Sequence, residues 1–292
     1  MSATVRHHDR IELKTRDQMR QMRRAGLVVA DIHAKLREAV RPGLTTAQLD
    51  RVSADTIAAH GASSNFLGYY GYPATVCISV NDVVVHGIPD DRVLEAGDLV
   101  SFDCGAYLMA DGRQWHGDAA FTVICGGDEA AAGPVGERRR RLNAVTEESM
   151  WAALAALASA RRLSAVGEAV EEVVARHAEA DGWEAGIIEE YTGHGIGTAM
   201  HQDPDVLNYR ARGISPKLRP GMVLAVEPML VTGDIETVTL ADDWTVKTLD
   251  GGDAAHWEHT IALLEDGVSV LTAADSGAAG LAPYGVVPVS LD

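Results

Sequence analysis

Apolar residues recur at helical spacing in two separate regions of the chain, and each region holds two such segments. After Asp17 they fall at Met22, Ala25 and Val29, which lie on one face of a helix, and Arg41-Pro42-Gly43 ends the run. The four helices predicted in this way span Asp17–Val40, a segment capped by Thr45 or Thr46 that ends at Ala59, Glu137–Ser159, and Ser164–Ala180.

Strand-like apolar runs follow each pair of helices. Because the order is helices, strands, helices, strands, the pattern predicts an α+β fold with helices covering one side of an antiparallel sheet. The predicted strands are Ala74–Val80, Asp98–Cys104 and Ala120–Cys125 after the first pair, and Met222–Glu227, Trp244–Lys247 and His259–Leu264 after the second.

A weak internal repeat divides the chain into two similar halves. Leu94–Asp103 and Leu218–Glu227 share one pattern, a glycine-containing turn and then an apolar strand that ends in a carboxylate. The segments that begin at Asp118 and Glu258 match in the same way. Two such halves would each bring two carboxylates to a shared cavity.

The remaining segments are predicted to add less to the fold. Gly126–Gly136 is rich in glycine and alanine and is expected to form a loop, and Glu137–Arg141 is expected to be a solvated run of charge. The Ala/Gly/Pro-rich tail from Ala273 to Asp292 is predicted to stay outside the core. We therefore expect one catalytic domain over residues 1–292, with its core at about residues 11–272.

Composition narrows the possible partners. The 292 residues include 25 Lys and Arg against 42 Asp and Glu, a net charge of −17, which disfavours binding to nucleic acid or an anionic membrane. No apolar run reaches the roughly 18 residues of a membrane span, and Met1–Lys14 lacks the apolar stretch of a signal peptide. The three cysteines, Cys77, Cys104 and Cys125, are an odd number without the spacing of a metal site, which disfavours a disulfide framework and favours the reducing cytoplasm.

Four carboxylates occur in or beside apolar strand patterns, namely Asp103, Asp118, Glu227 and Glu258. Any one of them alone is more often a residue at a strand end that reaches solvent. Four in two matching pairs favour another interpretation, because buried carboxylates repel one another unless cations neutralise them. Two divalent ions would do so, and oxygen-rich ligands suit manganese, iron, cobalt or zinc.

Three histidines are further candidates. His194 lies in the glycine-rich segment Gly193–Gly197, and His201 follows seven residues later. A tight turn with surface histidines and a site in which backbone approaches a ligand are both compatible with this pattern. His86 ends an apolar run and, taken alone, is more often a core histidine than a functional one.

Five blocks in this order resemble the signature segments of type I methionine aminopeptidases of the bacterial kind. They are Asn81–Pro89, Trp115–Asp118, Gly193–Gly197, Val226–Met229 and Trp257–Thr260, and the resemblance covers roughly residues 11–272. It implies a pita-bread fold with two pseudo-twofold halves and a dinuclear metal site.

The resemblance also assigns roles to residues. It makes Asp103, Asp118, His194, Glu227 and Glu258 the ligands of two divalent ions, places His86 and His201 beside the substrate, and gives Glu227 a further role in proton transfer. The methionine pocket maps onto Tyr69, Tyr72, Cys77, Trp244, Phe66 and Met200; the last two depart from some relatives, and ordinary core packing is the alternative for all six.

The implied reaction is removal of the N-terminal methionine, before a small second residue, by a metal-activated water. The partner would be the N-terminus of a peptide or nascent chain, with ribosome association left open, and the enzyme a free-standing cytoplasmic monomer without the extra N-terminal domain of Xaa-Pro aminopeptidases. A prolidase-like enzyme and a non-catalytic binding protein of the same fold are the two alternatives.

Overall fold

The computed structural model of the protein describes residues 11–292, so most of the predicted polar N-terminal segment Met1–Lys14 lies outside the described residues. The described part has an α+β architecture, as predicted. Its helices are α1 (Arg16–Ala39), α2 (Thr46–Ala59), α3 (Gly133–Ala156), α4 (Ala165–Asp181) and α5 (Ala278–Leu281). None of these helices is long and apolar enough to cross a membrane.

The strands form four small sheets in which every neighbouring pair is antiparallel. They are β1 (Ser63–Ser64), β2 (Val76–Val80), β3 (Val83–Val85), β4 (Leu99–Ala110), β5 (Arg113–Ile124), β6 (Gly186–Ile187), β7 (Gly193–Gly195), β8 (Gln202–Val206), β9 (Val223–Val226), β10 (Met229–Val231), β11 (Thr237–Thr239), β12 (Val246–Thr248), β13 (Ala254–His256), β14 (His259–Leu264) and β15 (Gly267–Val270).

The helix starts follow from local hydrogen bonds. Thr45 is the N-cap of α2 and forms a capping box with Gln48, which confirms one of the two predicted caps. The hydroxyl of Thr46 instead donates to the backbone oxygen of Asp90. Helix α3 begins at Gly133, four residues before its predicted start, because Pro134 fits the first turn of a helix.

The charge run at the start of α3 is not fully solvated, so that prediction is wrong for one of its members. The side chain of Arg139 is mostly buried, and its Nε donates to Asp253 Oδ1 over 3.0 Å. A long charged side chain can point inwards when a carboxylate neutralises it there.

Strands β4 and β5 form a hairpin of twelve residue pairs that is longer than the predicted strands. Asp111 and Gly112 make its turn with φ of 51° and 72°, the left-handed conformation that a two-residue hairpin turn requires. Helix α1 packs across this hairpin with its predicted apolar face. The helix comes so close that a Cβ on Gly117 would lie 2.8 Å from the backbone nitrogen of Gly26. Only glycine at position 117 allows this close approach of α1, which holds the neighbouring Asp118 in the interior of the protein.

Backbone and threonine hydroxyls join the two halves of the chain. Ala120 and Glu258 exchange two backbone hydrogen bonds of 3.2 and 2.9 Å. On one side of this pair, the hydroxyl of Thr260 accepts from the N–H of Asp118 and donates to its carbonyl oxygen. On the other side, Thr122 makes the same two contacts with the backbone of His256. The hydrogen bonds that join the two halves thus involve the backbone of two of the four carboxylate residues, Asp118 and Glu258.

The C-terminal tail contributes to the core, so the prediction that it stays outside is wrong. Leu281 is fully buried in the largest apolar cluster, and Leu291 is buried against α1. The buried guanidinium of Arg23 donates to the backbone oxygens of Leu271 and Ala274 and to Asp292 Oδ1. The composition of the tail did not predict this burial, because its few large apolar residues are widely spaced along the chain.

We expect Leu281→Ala to destabilise the protein by about 2–5 kcal/mol, since it removes a fully buried side chain and leaves a cavity. Val287→Ala is the matched control in the same tail, because Val287 is 86% exposed and should change the free energy of unfolding by less than about 0.5 kcal/mol. Urea unfolding of both variants measures the difference. Equal, small effects would show that the tail does not belong to the core.

Candidate metal centre

The four predicted carboxylates and His194 lie in strands or directly beside them, and all five line one cavity. Asp103 in β4 and Asp118 in β5 lie on the same face of the hairpin, because Asp103 pairs with Ala120, two residues from Asp118. Glu227 follows β9, and Glu258 precedes β14, the strand that pairs with β9. Ligand atoms of Asp118, His194 and Glu258 all lie within 4.8 Å of one another.

The four carboxylates lie in the protein interior, where burial disfavours their ionised form. Burial raises the pKa of Asp103 to about 7 and that of Glu227 to about 8. The pKa values of Asp118 and Glu258 are raised well above their usual range, first by burial and then by the neighbouring carboxylates. Within residues 11–292, Oδ1 of Asp103, Oδ1 of Asp118 and Oε1 of Glu258 are buried without a hydrogen-bond partner.

His194 has the orientation of a metal ligand. Its Nδ1 lies 3.0 Å from the backbone oxygen of Gly195, which fixes the proton on that nitrogen. Nε2 is then an acceptor, and it lies 3.5 Å from Glu227 Oε1. Burial and the neighbouring His201 lower the pKa of His194 to about 3, so the ring is neutral at physiological pH. Buried, unpartnered carboxylate oxygens around a neutral imidazole nitrogen fit divalent cations and leave few other ways to satisfy these groups.

His86 and His201 lie at the edge of this cluster. His86 has a φ of +59° directly after β3, and its ring contacts those of Tyr191 and Trp244 edge to face, with centroids 5.6 and 5.9 Å away. Burial, followed by the charges of His256 and His201, lowers the pKa of His86 to about 4. The Nδ1 of His201 lies 2.8 Å from the Tyr69 hydroxyl, and the His201 ring packs edge to face on His194.

The predicted pocket residues line the same cavity as the carboxylates. Cys77 lies directly opposite Asp103 in the pairing of β2 with β4, so the apolar part of the cavity begins where the carboxylates end. Tyr72 contacts Trp244 edge to face at 5.1 Å and donates its hydroxyl to the backbone oxygen of Gly87. The cavity is lined by Phe66, Tyr69, Tyr72, Cys77, His86, Asp103, Asp118, His194, Met200, His201, Glu227, Trp244 and Glu258. These are the thirteen residues that the sequence placed in the site.

The sequence analysis missed several residues that support the site. The side-chain oxygen of Asn65 lies 2.8 Å from Nδ1 of His116, and its amide donates to the backbone oxygen of Gly117, next to Asp118. Asn208, fully buried, donates to the backbone oxygen of Glu227 over 3.0 Å. His256 is buried beside Glu227. For His256 a signal was present, because it precedes Glu258 by two residues and strand alternation puts such residues on one face.

Sequence comparisons relate the chain to proteins of known activity. The profile of metallopeptidase family M24 matches residues 20–265. The chain is 46% identical over 252 residues to methionine aminopeptidase 1 of Mycobacterium tuberculosis, a match that covers 86% of this chain and 91% of that protein. It is 39% identical over 264 residues to the methionine aminopeptidase of Escherichia coli, covering 90% of this chain and 94% of that protein.

Structural comparisons agree with these matches. The crystal structure of methionine aminopeptidase from Thermotoga maritima superposes with a TM-score of 0.81 at 35% identity, covering 90% of this chain and 100% of that one. A prolidase from Pyrococcus furiosus has a TM-score of 0.65 at 19% identity, covering 89% and 65%, which is a likeness of fold alone. The predicted pita-bread fold is confirmed.

Proposed function

Since the chain belongs to metallopeptidase family M24 and, within it, to the methionine aminopeptidases, we propose that it removes the N-terminal methionine from peptides and nascent proteins whose second residue is small. It is a metal-dependent aminopeptidase. The observation that carries the proposal is that one cavity holds a cation-binding cluster at one end and an aromatic pocket at the other. Such a cavity can hold the amino end of a peptide and select its first side chain together.

We assign two divalent ions to Asp103, Asp118, His194, Glu227 and Glu258, with cobalt, manganese, iron and zinc all suited to these ligands. The support is the donor set, in which four clustered carboxylates need cations and one imidazole presents an unprotonated nitrogen. Such ions, when bound, polarise a carbonyl group and make a water molecule a stronger nucleophile.

The protein's own groups supply positioning and proton transfer. The free α-amine of a peptide would be held at the metal end of the cavity, which would account for cleavage at the first bond only. With the Tyr69 hydroxyl as donor to Nδ1, His201 carries its proton on Nε2 and can donate it to the carbonyl oxygen of the scissile bond. Glu227 accepts a proton from the attacking water and passes it to the leaving amine.

We predict that side-chain fit decides specificity. Tyr72 and Trp244 form rigid walls of a slot that admits an unbranched thioether and crowds a γ-branched leucine. A misfit of one methylene costs about 1–3 kcal/mol, so discrimination should be tens- to hundreds-fold. The measurement compares kcat/KM for Met-Ala-Ser, Leu-Ala-Ser and Met-Leu-Ser peptides, with the first preferred over both others. Equal values for the three would indicate a general aminopeptidase.

The same assay separates the two alternatives. A prolidase-like enzyme would prefer Ala-Pro to Met-Ala, and a binding protein would hydrolyse neither. Metal-stripped protein resupplied with one ion at a time should regain hydrolysis of Met-Ala-Ser. Failure to regain it with any of the four metals would contradict the proposed function.

We further propose that one chain is the active unit, as a single catalytic domain acting on nascent chains in the cytoplasm, free or bound to ribosomes. The support is that one chain supplies every ligand and pocket residue that the family resemblance implies. Sedimentation of the purified protein tests the monomer, and co-sedimentation with ribosomes tests their association.

A further inference from the structure

We propose that His256 is a positioning residue of the site, whose Nε2–H holds one oxygen of Glu227 in place. The inference rests on the function proposed above. Nε2 of His256 lies 3.4 Å from Glu227 Oε2. The side chain is 2% exposed, and within residues 11–292 this nitrogen has no hydrogen-bond partner. It is therefore a buried polar group whose contact with Glu227 Oε2 does not have the geometry of a hydrogen bond, and a small rotation of either side chain would complete that bond. Asp103 is a second carboxylate that interacts with this ring.

Glu227 lies between two imidazole rings that meet different oxygens. His194 Nε2 is 3.5 Å from Oε1, and His256 Nε2 is 3.4 Å from Oε2. The contact of His194 Nδ1 with the backbone leaves its Nε2 unprotonated, as a metal ligand must be. His256 faces a carboxylate oxygen, and a neutral imidazole in that position is stabilised with its proton on the facing nitrogen. The two rings thus play different parts, one as a ligand and the other as a hydrogen-bond donor.

The backbone of His256 is held from both halves of the fold, by the pairing of β13 with Met229 in β10 and by Thr122 in the first half. The Thr122 hydroxyl donates to the backbone oxygen of His256 over 2.7 Å and accepts from its N–H over 3.1 Å. The same hydroxyl lies 2.8 Å from that of Ser101 in the neighbouring strand β4. Because Thr122 is in β5, the strand that carries Asp118, this link holds the backbone of His256 relative to the first-half carboxylates.

Orientation of Glu227 matters because this carboxylate has two tasks, holding a metal ion and moving a proton. A hydrogen bond to Oε2 restricts its rotation and leaves Oε1 to face His194 and the cavity. Groups that orient metal ligands typically change metal affinity or activity by about 10–100-fold when removed. His256 acts through Glu227 and need not touch the substrate.

The test replaces the donor in two ways. His256→Gln retains an N–H donor at a similar distance from the backbone but has no imidazole, whereas His256→Leu retains bulk and has no donor. We expect His256→Leu to lower kcat for Met-Ala-Ser by about 10–100-fold with KM little changed, and to weaken Mn²⁺ binding to metal-stripped protein over a similar range without changing its stoichiometry. His256→Gln should restore both quantities to near the wild-type values. Thermal unfolding of the metal-free variants verifies that each one folds.

Variants of Thr122 provide a second, independent test of the proposal. Thr122→Val should reduce kcat and Mn²⁺ affinity in the same direction as His256→Leu, and Thr122→Ser, which retains the hydroxyl, should not. Thr146→Val is the matched control, because the buried Thr146 hydroxyl donates to Leu142 within α3, away from the cavity. It should leave both quantities at their wild-type values.

Two outcomes would overturn the proposal. If His256→Leu matches the wild type, Glu227 needs no donor from this residue. If His256→Gln is as impaired as His256→Leu, or binds fewer ions, the imidazole itself is required and His256 is a ligand. Lack of hydrolysis by wild-type protein would contradict the proposed function instead, and the Mn²⁺ titrations would still test His256.

Discussion

Asp118→Asn is expected to abolish peptide hydrolysis and to lower bound metal at the same time. Asp118 is buried in the tightest part of the cluster, within 4.8 Å of ligand atoms of His194 and Glu258. The substitution removes one negative charge and one ligand oxygen from the centre. Metal ions contribute several kcal/mol of transition-state stabilisation, so kcat/KM should fall on the order of 10³-fold or more.

The metal-free protein gives the complementary readout. The pKa of Asp118 is raised well above its usual range, first by burial and then by Asp103 and Glu227, so a charged carboxylate is unfavourable in the metal-free protein and an uncharged amide is tolerated there. We therefore expect the thermal midpoint of metal-free Asp118→Asn to match that of metal-free wild type, while added Mn²⁺ stabilises only the wild type. Asp111→Asn is the matched control, with the same charge change at the turn of the same hairpin. Full activity or full metal content in Asp118→Asn would refute the assignment.

His201→Ala is expected to lower kcat by about 10²–10³-fold, the usual cost of removing one donor to a developing oxyanion. Bound metal should remain, because Nδ1 of His201 is engaged by Tyr69 and the residue lies at the edge of the carboxylate cluster. His86→Ala should behave similarly, since its ring packs between Tyr191 and Trp244 on the substrate side.

Steady-state kinetics with Met-Ala-Ser and metal analysis of the same samples measure these effects. His60→Ala is a suitable control, because His60 is a surface histidine paired with Asp31. Tyr69→Phe should give a smaller loss of kcat than His201→Ala, since it frees the His201 ring without removing it. Loss of metal in proportion to activity would instead make the two histidines ligands.

The sequence was informative wherever local periodicity decides structure. The apolar spacing in α1 predicted its buried face, because a helix repeats every 3.6 residues whatever it packs against. The two matching strand segments predicted the paired carboxylates, because an ionised group in a buried strand requires a compensating charge. The resemblance to a family then identified all thirteen residues that line the cavity.

Other features depended on contacts that no local pattern records. The strands predicted for the hairpin were shorter than β4 and β5, because polar residues such as Gln114 interrupt the apolar pattern. Backbone pairing nevertheless continues to Ala110 and Arg113. The tail was assigned to the exterior, yet Leu281 fills a space left by distant helices. Few residues in a segment can still matter when each is fully buried.

Sequence alone thus determined which residues have the right chemistry and in which elements they lie. Only the tertiary structure decided how they are held, since the hydroxyl of Thr260 meets the backbone of Asp118 across 142 positions of the chain. His256 shows the same division. Its residue type and strand position can be read from the sequence, but its contact with Glu227 also depends on Thr122 in the other half, which holds its backbone. Such contacts depend on the packing of both halves, and packing is a property of the whole chain.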